Sequence, residues 1–143
     1  MSLSKDQQLL EKLKSNPDAM VAKLVIPTNL FVSKFGGYYS VLFKQIKNSL
    51  QSIDGIPNRQ FFKDLSGAYF SLSQPENTEL YLVYDPKISK MHTLSLLIRL
   101  KKIVGLTSII EIGPLVQYEN NITEIIRMDR KVQVFGNLYQ WKK

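Results

Sequence analysis

The sequence predicts an α+β fold, helical through its first half and strand-rich through its second. Three observations carry that prediction. The spacing of apolar residues changes from about 3.6 to about 2 after the Gln74-Pro75-Glu76-Asn77 loop, the mark of a switch from helices to strands. The length, 143 residues, suits one core, which buries about two-thirds of the unfolded surface at this size. Apolar residues at 44% and charged residues at 22% match a folded chain rather than a disordered one. No internal repeat, low-complexity tract or long linker marks a boundary, so residues 1–143 read as one domain. The loop at 73–78 offers the one subdivision, a helical 1–72 and a sheet-rich 79–143.

The helices come first. Ser4 stands three residues before Gln7, the spacing of a capping box, and Leu9, Leu10 and Leu13 follow at helical intervals, predicting a helix to about Ser15. Asn16-Pro17-Asp18 has the order of an N-cap, a first-position proline and a first-turn acid, so a second short helix is expected through Lys23 or Leu24, ended by Pro27. Thr28 or Asn29 caps a turn through Phe35, and Gly36-Gly37 breaks it. From Tyr38 to Ile53, Tyr39, Leu42, Phe43, Ile46, Leu50 and Ile53 recur at three and four, with Lys44, Lys47, Asn48 and Gln51 opposite. Asp54-Gly55 closes that helix. A fourth is expected from Pro57 or Asn58 through Phe61, Phe62, Leu65 and Tyr69.

Beyond the loop, Leu80-Tyr81-Leu82-Val83-Tyr84 is apolar on both faces, which predicts a central strand. Ser89 caps a helix from Lys90 to Val104, with Gly105 just past its end. Five short strands are expected at 108–112, 115–118, 122–128, 131–135 and 138–141, turned by Gly113-Pro114, Glu119-Asn120-Asn121, Asp129-Arg130 and Gly136-Asn137. The result is a strand–helix–strand unit followed by short hairpins in a mostly antiparallel sheet. Leu42, Ile46, Leu50, Phe62, Leu82, Leu97, Ile110 and Val134 are the expected core.

Charge bears on partners. Nineteen Lys and Arg against twelve Asp and Glu leave +7, which attracts polyanions and makes nucleic acid the leading partner. Neither half is a dedicated basic arm: residues 1–75 carry nine basic and five acidic groups, 76–143 ten and seven. The absence of cysteine excludes disulfides, thiolate metal ligands and cysteine nucleophiles. The start, Met1 to Gln8, lacks the apolar core of a signal peptide, and no apolar run approaches the roughly 20 residues of a membrane span. An intracellular protein without a membrane segment is expected.

Candidate chemistry is sparse. His92 is the single histidine, so a metal site would need carboxylates, and no metal or other cofactor is expected. His92, Ser95, Arg99 and Lys102 fall on one stripe of the 90–104 helix, with Lys101 beside them; the stripe is either a solvated face or a row of phosphate contacts. Arg127, Arg130, Lys131, Phe135, Tyr139, Trp141, Lys142 and Lys143 mix basic and aromatic groups near the C-terminus. Such a mixture suits single strands, whose bases stack while their phosphates are neutralised. Asp85, with Glu111 and Asp129, could form a magnesium site; as the residue before Pro86 it equally serves as a turn opener. Gly36-Gly37 lacks dinucleotide or P-loop spacing, and no serine sits in a Gly-x-Ser-x-Gly context.

Leu65-Ser66-Gly67-Ala68-Tyr69-Phe70-Ser71, then a strand, a helix and a hairpin, faintly resembles one half of a LAGLIDADG homing endonuclease. That family ends its helical motif with a metal-binding acid. Here Ala68, Tyr69, Phe70 and Ser71 stand in its place, so the resemblance implies DNA or RNA binding without cleavage and does not assign the family. The expected function is a non-catalytic nucleic-acid-binding domain or nucleoprotein subunit, contacting phosphate through Arg99, Lys101, Lys102, Arg127, Arg130, Lys131 and Lys142, with Trp141 stacking. The rivals are a protein–protein adaptor docking through its amphipathic N-terminal helices and a small metal-dependent nuclease using Asp85 and Glu111.

Overall fold

The computed structural model describes residues 4–50, 52–53, 56–57, 67–89, 93–128 and 132–135. Its elements are α1 (Lys5–Lys14), β1 (Met20–Pro27), α2 (Thr28–Phe35), α3 (Tyr39–Leu50), β2 (Ser52–Ile53), β3 (Ile56–Pro57), β4 (Gly67–Ser73), β5 (Asn77–Tyr84), α4 (Pro86–Ser89), α5 (Thr93–Val104), β6 (Ile109–Pro114), α6 (Leu115–Arg127) and β7 (Val132–Phe135). Five strands form one sheet in the order β6-β1-β5-β4-β7, every neighbouring pair antiparallel. The short β2 and β3 pair separately. The α+β class and the antiparallel sheet are as expected. Strands from both halves alternate within that sheet, so the loop at 73–78 is a hairpin turn inside it, not a boundary between helical and sheet-rich units.

The sheet is covered on both faces, and the alternation of side chains along each strand sorts the core into two. Ala22, Leu24, Ile26, Tyr69, Leu80, Leu82 and Tyr84 face one way, against Phe31 and Phe35 of α2, Leu42 and Ile46 of α3, and Leu96, Leu100, Ile103 and Val104 of α5. Val21, Ala68, Phe70, Leu72, Tyr81 and Val83 face the other way, against Leu10 and Leu13 of α1 and Leu115, Tyr118, Ile122, Ile125 and Ile126 of α6. A strand buried on both faces needs no polar alternation. That accounts for the continuous apolar run of β5, which sits in the middle of the sheet as expected.

The same logic corrects three expectations. Residues 20–27 form β1, not a helix: the segment pairs with β5 and β6, and from Ala22 on its burial alternates at the strand period. The Asn16-Pro17-Asp18 signal is an Asx turn: Asn16 Oδ1 accepts from the Asp18 N–H at 2.9 Å, while Asn16 Nδ2 donates to Asp85. Residues 67–73 form β4, buried along six of seven positions, so the helical motif implied by the resemblance to homing endonucleases is not there. Residues 115–127 form α6, not two strands. Leu115, Tyr118, Ile122, Ile125 and Ile126 recur at helical intervals, Pro114 precedes the first turn, and Asn120-Asn121 lies mid-helix on the exposed side. The short strands expected between 108 and 128 are accordingly replaced by one strand and one helix, β6 and α6.

Other elements follow the local signals. Ser4 and Gln7 form the capping box, each side chain bonding the other's backbone N–H. Gly105 adopts φ 86° after α5 and its N–H bonds the Lys101 carbonyl, a left-handed cap that a β-carbon would strain. Of the helix expected at 90–104, residues 93–104 form α5 and 90–92 lie outside the described residues; the short α4 precedes it. Of the expected core, Leu42, Ile46 and Leu82 are buried, and Leu97 and Ile110 are half-buried. The side chains of Leu50 and Val134, all of Phe62, residues 58–66 of the expected fourth helix and the strand at 138–141 lie outside the described residues.

Candidate functional site

The two helical layers have different charge. In α2, α3 and α5 the charged residues are Lys34, Lys44, Lys47, Arg99, Lys101 and Lys102: six basic and no acidic. In α1 and α6, Lys5, Lys12, Lys14 and Arg127 are matched by Asp6, Glu11, Glu119 and Glu124. Several of these second-layer charges pair directly. Lys14 Nζ lies 2.6 Å from Glu119 Oε1 and 3.2 Å from Glu11 Oε1, and Arg127 lies 2.8 Å from Glu124. The hydrogen bond to Glu119, then that to Glu11, pushes the Lys14 ammonium above its usual range.

On the basic layer the predicted residues divide by role. Lys102 is exposed on the crest of α5, one turn from Ile98. Arg99 is half-buried and donates to the Ser49 carbonyl at 2.6 Å, joining α5 to the last turn of α3. Lys101 Nζ donates to the carbonyls of Leu106 and Ser108, closing the turn between α5 and β6. Ser95 is exposed on the same helix. Lys34 and Lys44 are exposed on α2 and α3, and Lys34 Nζ lies 5.8 Å from the Phe35 ring centroid.

Lys34, Lys44 and Lys47 were not among the predicted site residues. A signal for them exists in the sequence: no Asp or Glu stands between Asp18 and Asp54, and none between Asp85 and Glu111. These two acid-free stretches supply α2 and α3, and α5, and folding brings them into one layer. Arg127 belongs to the opposite layer and is paired with Glu124, so it does not join Arg99 and Lys102 on one surface. His92, Arg130, Lys131, Trp141 and Lys142, together with Asp129, lie outside the described residues.

The carboxylates proposed for metal binding do not converge. Asp85 is buried at the end of β5, where Oδ2 accepts from Asn16 Nδ2 at 2.6 Å and Oδ1 accepts from the Lys87 N–H at 2.8 Å. It opens the turn into α4, as an Asp before Pro does. Glu111 pairs in register with Lys23 on β1, and Met20 pairs with Tyr84. Asp85 and Glu111 are therefore four residues and two strand spacings apart, roughly 16 Å, too far to share an ion. Among the described residues no three His, Asp or Glu side chains come together.

An open cleft of about 420 Å³ lies between α6 and the β4–β5 hairpin, lined in part by Glu79, Tyr81, Asn121 and Glu124. The Tyr81 hydroxyl accepts from Asn121 Nδ2 at 3.2 Å and donates to Glu79 at 3.4 Å, and Glu79 lies 3.6 Å from Lys23 Nζ. Burial first, and then the Glu79 charge, pushes the Tyr81 hydroxyl up to about 12. This network pairs one acid with one base, and Glu124 adds a second acid to the cleft lining, opposite in character to the α2/α3/α5 layer.

Comparison with family models, with curated proteins and with solved structures finds no match to this chain. Among the described residues, no helix is long and apolar enough to cross a membrane.

Proposed function

We propose that this protein is a non-catalytic nucleic-acid-binding domain or nucleoprotein subunit, and that its phosphate-contacting surface is the α2/α3/α5 layer. The observation that carries the proposal is the segregation of charge: six basic and no acidic groups on one layer, four of each on the other. A field built by six like charges on rigid helices adds at one surface, whereas balanced charges cancel within a Debye length of roughly 8 Å. The surface belongs to secondary-structure elements packed on a sheet, so the charges keep their spacing.

Neither rival draws comparable support. The apolar stripe of α1, Leu10 and Leu13, is consumed in the second core, and those of α2 and α3, Phe31, Phe35, Leu42 and Ile46, in the first, so the amphipathic faces of the N-terminal helices are turned to the sheet and not to a partner. A nuclease built on Asp85 and Glu111 would need those groups within one ion's reach. Binding to nucleic acid is tested by fluorescence anisotropy across a salt series, where each phosphate contact contributes about 0.7 to 0.9 to the slope of log K against log salt. A slope of several units supports the proposal, and absence of binding at low salt refutes it.

A further inference from the structure

The basic layer also exposes large apolar side chains. Val32 of α2, Tyr38 at the start of α3, Val41 of α3, and Leu94 and Ile98 of α5 are all exposed there, Tyr38 by 67% and Leu94 by 66%. Scattered exposed apolar residues are ordinary, but five on the layer that carries no acid are a combination with a chemical meaning. Leu94 and Ile98 stand one helical turn apart, and Lys102 follows one turn further along α5. Val41 stands one turn after Tyr38, and its N–H bonds the Tyr38 carbonyl at 3.2 Å. On each outer ridge two apolar groups therefore precede a cation, Leu94 and Ile98 before Lys102 on α5, and Tyr38 and Val41 before Lys44 at α3.

Tyr38 is held in place by the backbone. Gly36 and Gly37 both take positive φ, 65° and 77°, a conformation that side-chain-bearing residues rarely adopt. The Gly37 N–H bonds the Phe31 carbonyl at 3.2 Å and the Tyr38 N–H bonds the Phe35 carbonyl at 3.1 Å, locking the turn between α2 and α3. A β-carbon on Gly36 would lie 3.4 Å from the Tyr38 ring, so that ring rests against the glycine while most of it faces solvent. An aromatic face presented by a fixed turn loses little freedom when a second flat surface meets it.

A polyanion that fits this layer must offer apolar flat surface as well as phosphate. A duplex stacks its bases inside and turns sugars and phosphates outward, which would bury five apolar side chains against charge. Unpaired nucleotides offer both. Accepting the proposed nucleic-acid function, we infer that the α2/α3/α5 layer binds single-stranded nucleic acid in preference to duplex, with a base stacked on Tyr38 and phosphates on Lys34, Lys44 and Lys102.

The test is anisotropy titration of the full chain with a labelled oligothymidine of about 20 nucleotides and with a hairpin duplex of equal length, at several salt concentrations. Tyr38→Ala, Tyr38→Phe and the double variant Lys44→Gln with Lys102→Gln are compared with the native protein, and circular dichroism checks that each is folded. The expected result is tighter binding of the single strand than of the hairpin. Tyr38→Ala should weaken single-strand binding about 5- to 150-fold with an unchanged salt slope, Tyr38→Phe should retain it, and the lysine variant should lower the slope by roughly 0.7 per lost contact. Equal affinity for the two probes, or no effect of Tyr38→Ala on the single strand, would overturn the preference while leaving nucleic-acid binding intact. Competition by polyglutamate as effective as that by oligothymidine would show a generic acidic-chain site and overturn it as well. Binding of neither probe at low salt would overturn the proposed function itself.

Discussion

The two helical layers do the same structural work with opposite electrostatics. Each buries a contiguous apolar stripe on one face of the shared sheet, α2, α3 and α5 on one side and α1 and α6 on the other. Burial constrains only the inward positions of a helix, so outward positions are free to differ. In the α1/α6 layer they are filled by both signs and cross-linked, as where Lys14 of α1 meets Glu119 of α6. In the α2/α3/α5 layer they are filled by one sign and by exposed apolar groups. The difference separates what the fold requires from what it merely permits, and the permitted part is where a binding surface is built.

If the layers are structurally equivalent, core truncations on either side should cost alike. Leu42→Ala beneath α3 and Ile122→Ala beneath α6 remove side chains that are fully buried, and each should destabilise by about 2–5 kcal/mol in urea unfolding. A much smaller loss on one side would mean that layer is loosely docked. Asp85 sharpens the same comparison at the end of the sheet. Asp85→Ala leaves Asn16 Nδ2 buried without its acceptor and the α4 turn without its opener, an expected loss of about 1–3 kcal/mol by the same measurement.

The sequence carried the α+β class, the capping box of α1, the amphipathic α3, the central β5 and the glycine stop of α5. Each of these is a local signal: a cap, a helical period, or a run bounded by turns. It did not carry β1, β4 or α6 correctly. β4, buried on both faces, lacks the alternation that distinguishes a strand, and the helical spacing read from Phe61 to Tyr69 runs on into it; in β1 the Asn16-Pro17-Asp18 cap signal masked an alternation that is there. In α6, β-branched residues and an Asn-Asn pair look like strand and turn, although Leu115, Tyr118 and Ile122 hold the helical period. For the candidate site, the stripe on α5 was legible because Arg99 and Lys102 share one helix. Its union with Lys34 and Lys44 was not, because only the crossover of the chain through the sheet brings α2, α3 and α5 to one face.

Alkaline titration separates the two cores by a gentler route. Burial first, with a neighbouring charge second, pushes the hydroxyls of Tyr69, in the first core, and Tyr81, in the second, up to about 12 from about 10. A raised folded value means the neutral form is favoured by folding. The stability it supplies is complete below about pH 10 and is lost as pH rises toward 12. Thermal unfolding from pH 9 to 12 should therefore show falling Tm, and Tyr81→Phe should lessen the fall. An unchanged pH profile in Tyr81→Phe would remove Tyr81 from this account.

The smallest effect belongs to the ion pair between the two helices of the balanced layer. Glu119→Gln should cost under about 1 kcal/mol, and less still in high salt, because both partners are partly exposed. A larger, salt-independent loss in urea unfolding would show that α1 is held to α6 chiefly by charge rather than by Leu10 and Leu13.

The central claim, that one layer binds nucleic acid and the other does not, is tested most directly by moving equal charge on each. One variant carries Lys34→Glu, Lys44→Glu and Lys102→Glu; the other carries Lys5→Glu, Lys12→Glu and Lys14→Glu, so both have the same net charge. Anisotropy titration with a single-stranded oligonucleotide at fixed low salt compares them. The account predicts that the first variant loses binding at least 100-fold while the second falls by less than about tenfold, the share owed to net charge alone. Equal losses in the two variants would contradict it, since the charge would then act through its total and not through the layer that carries it.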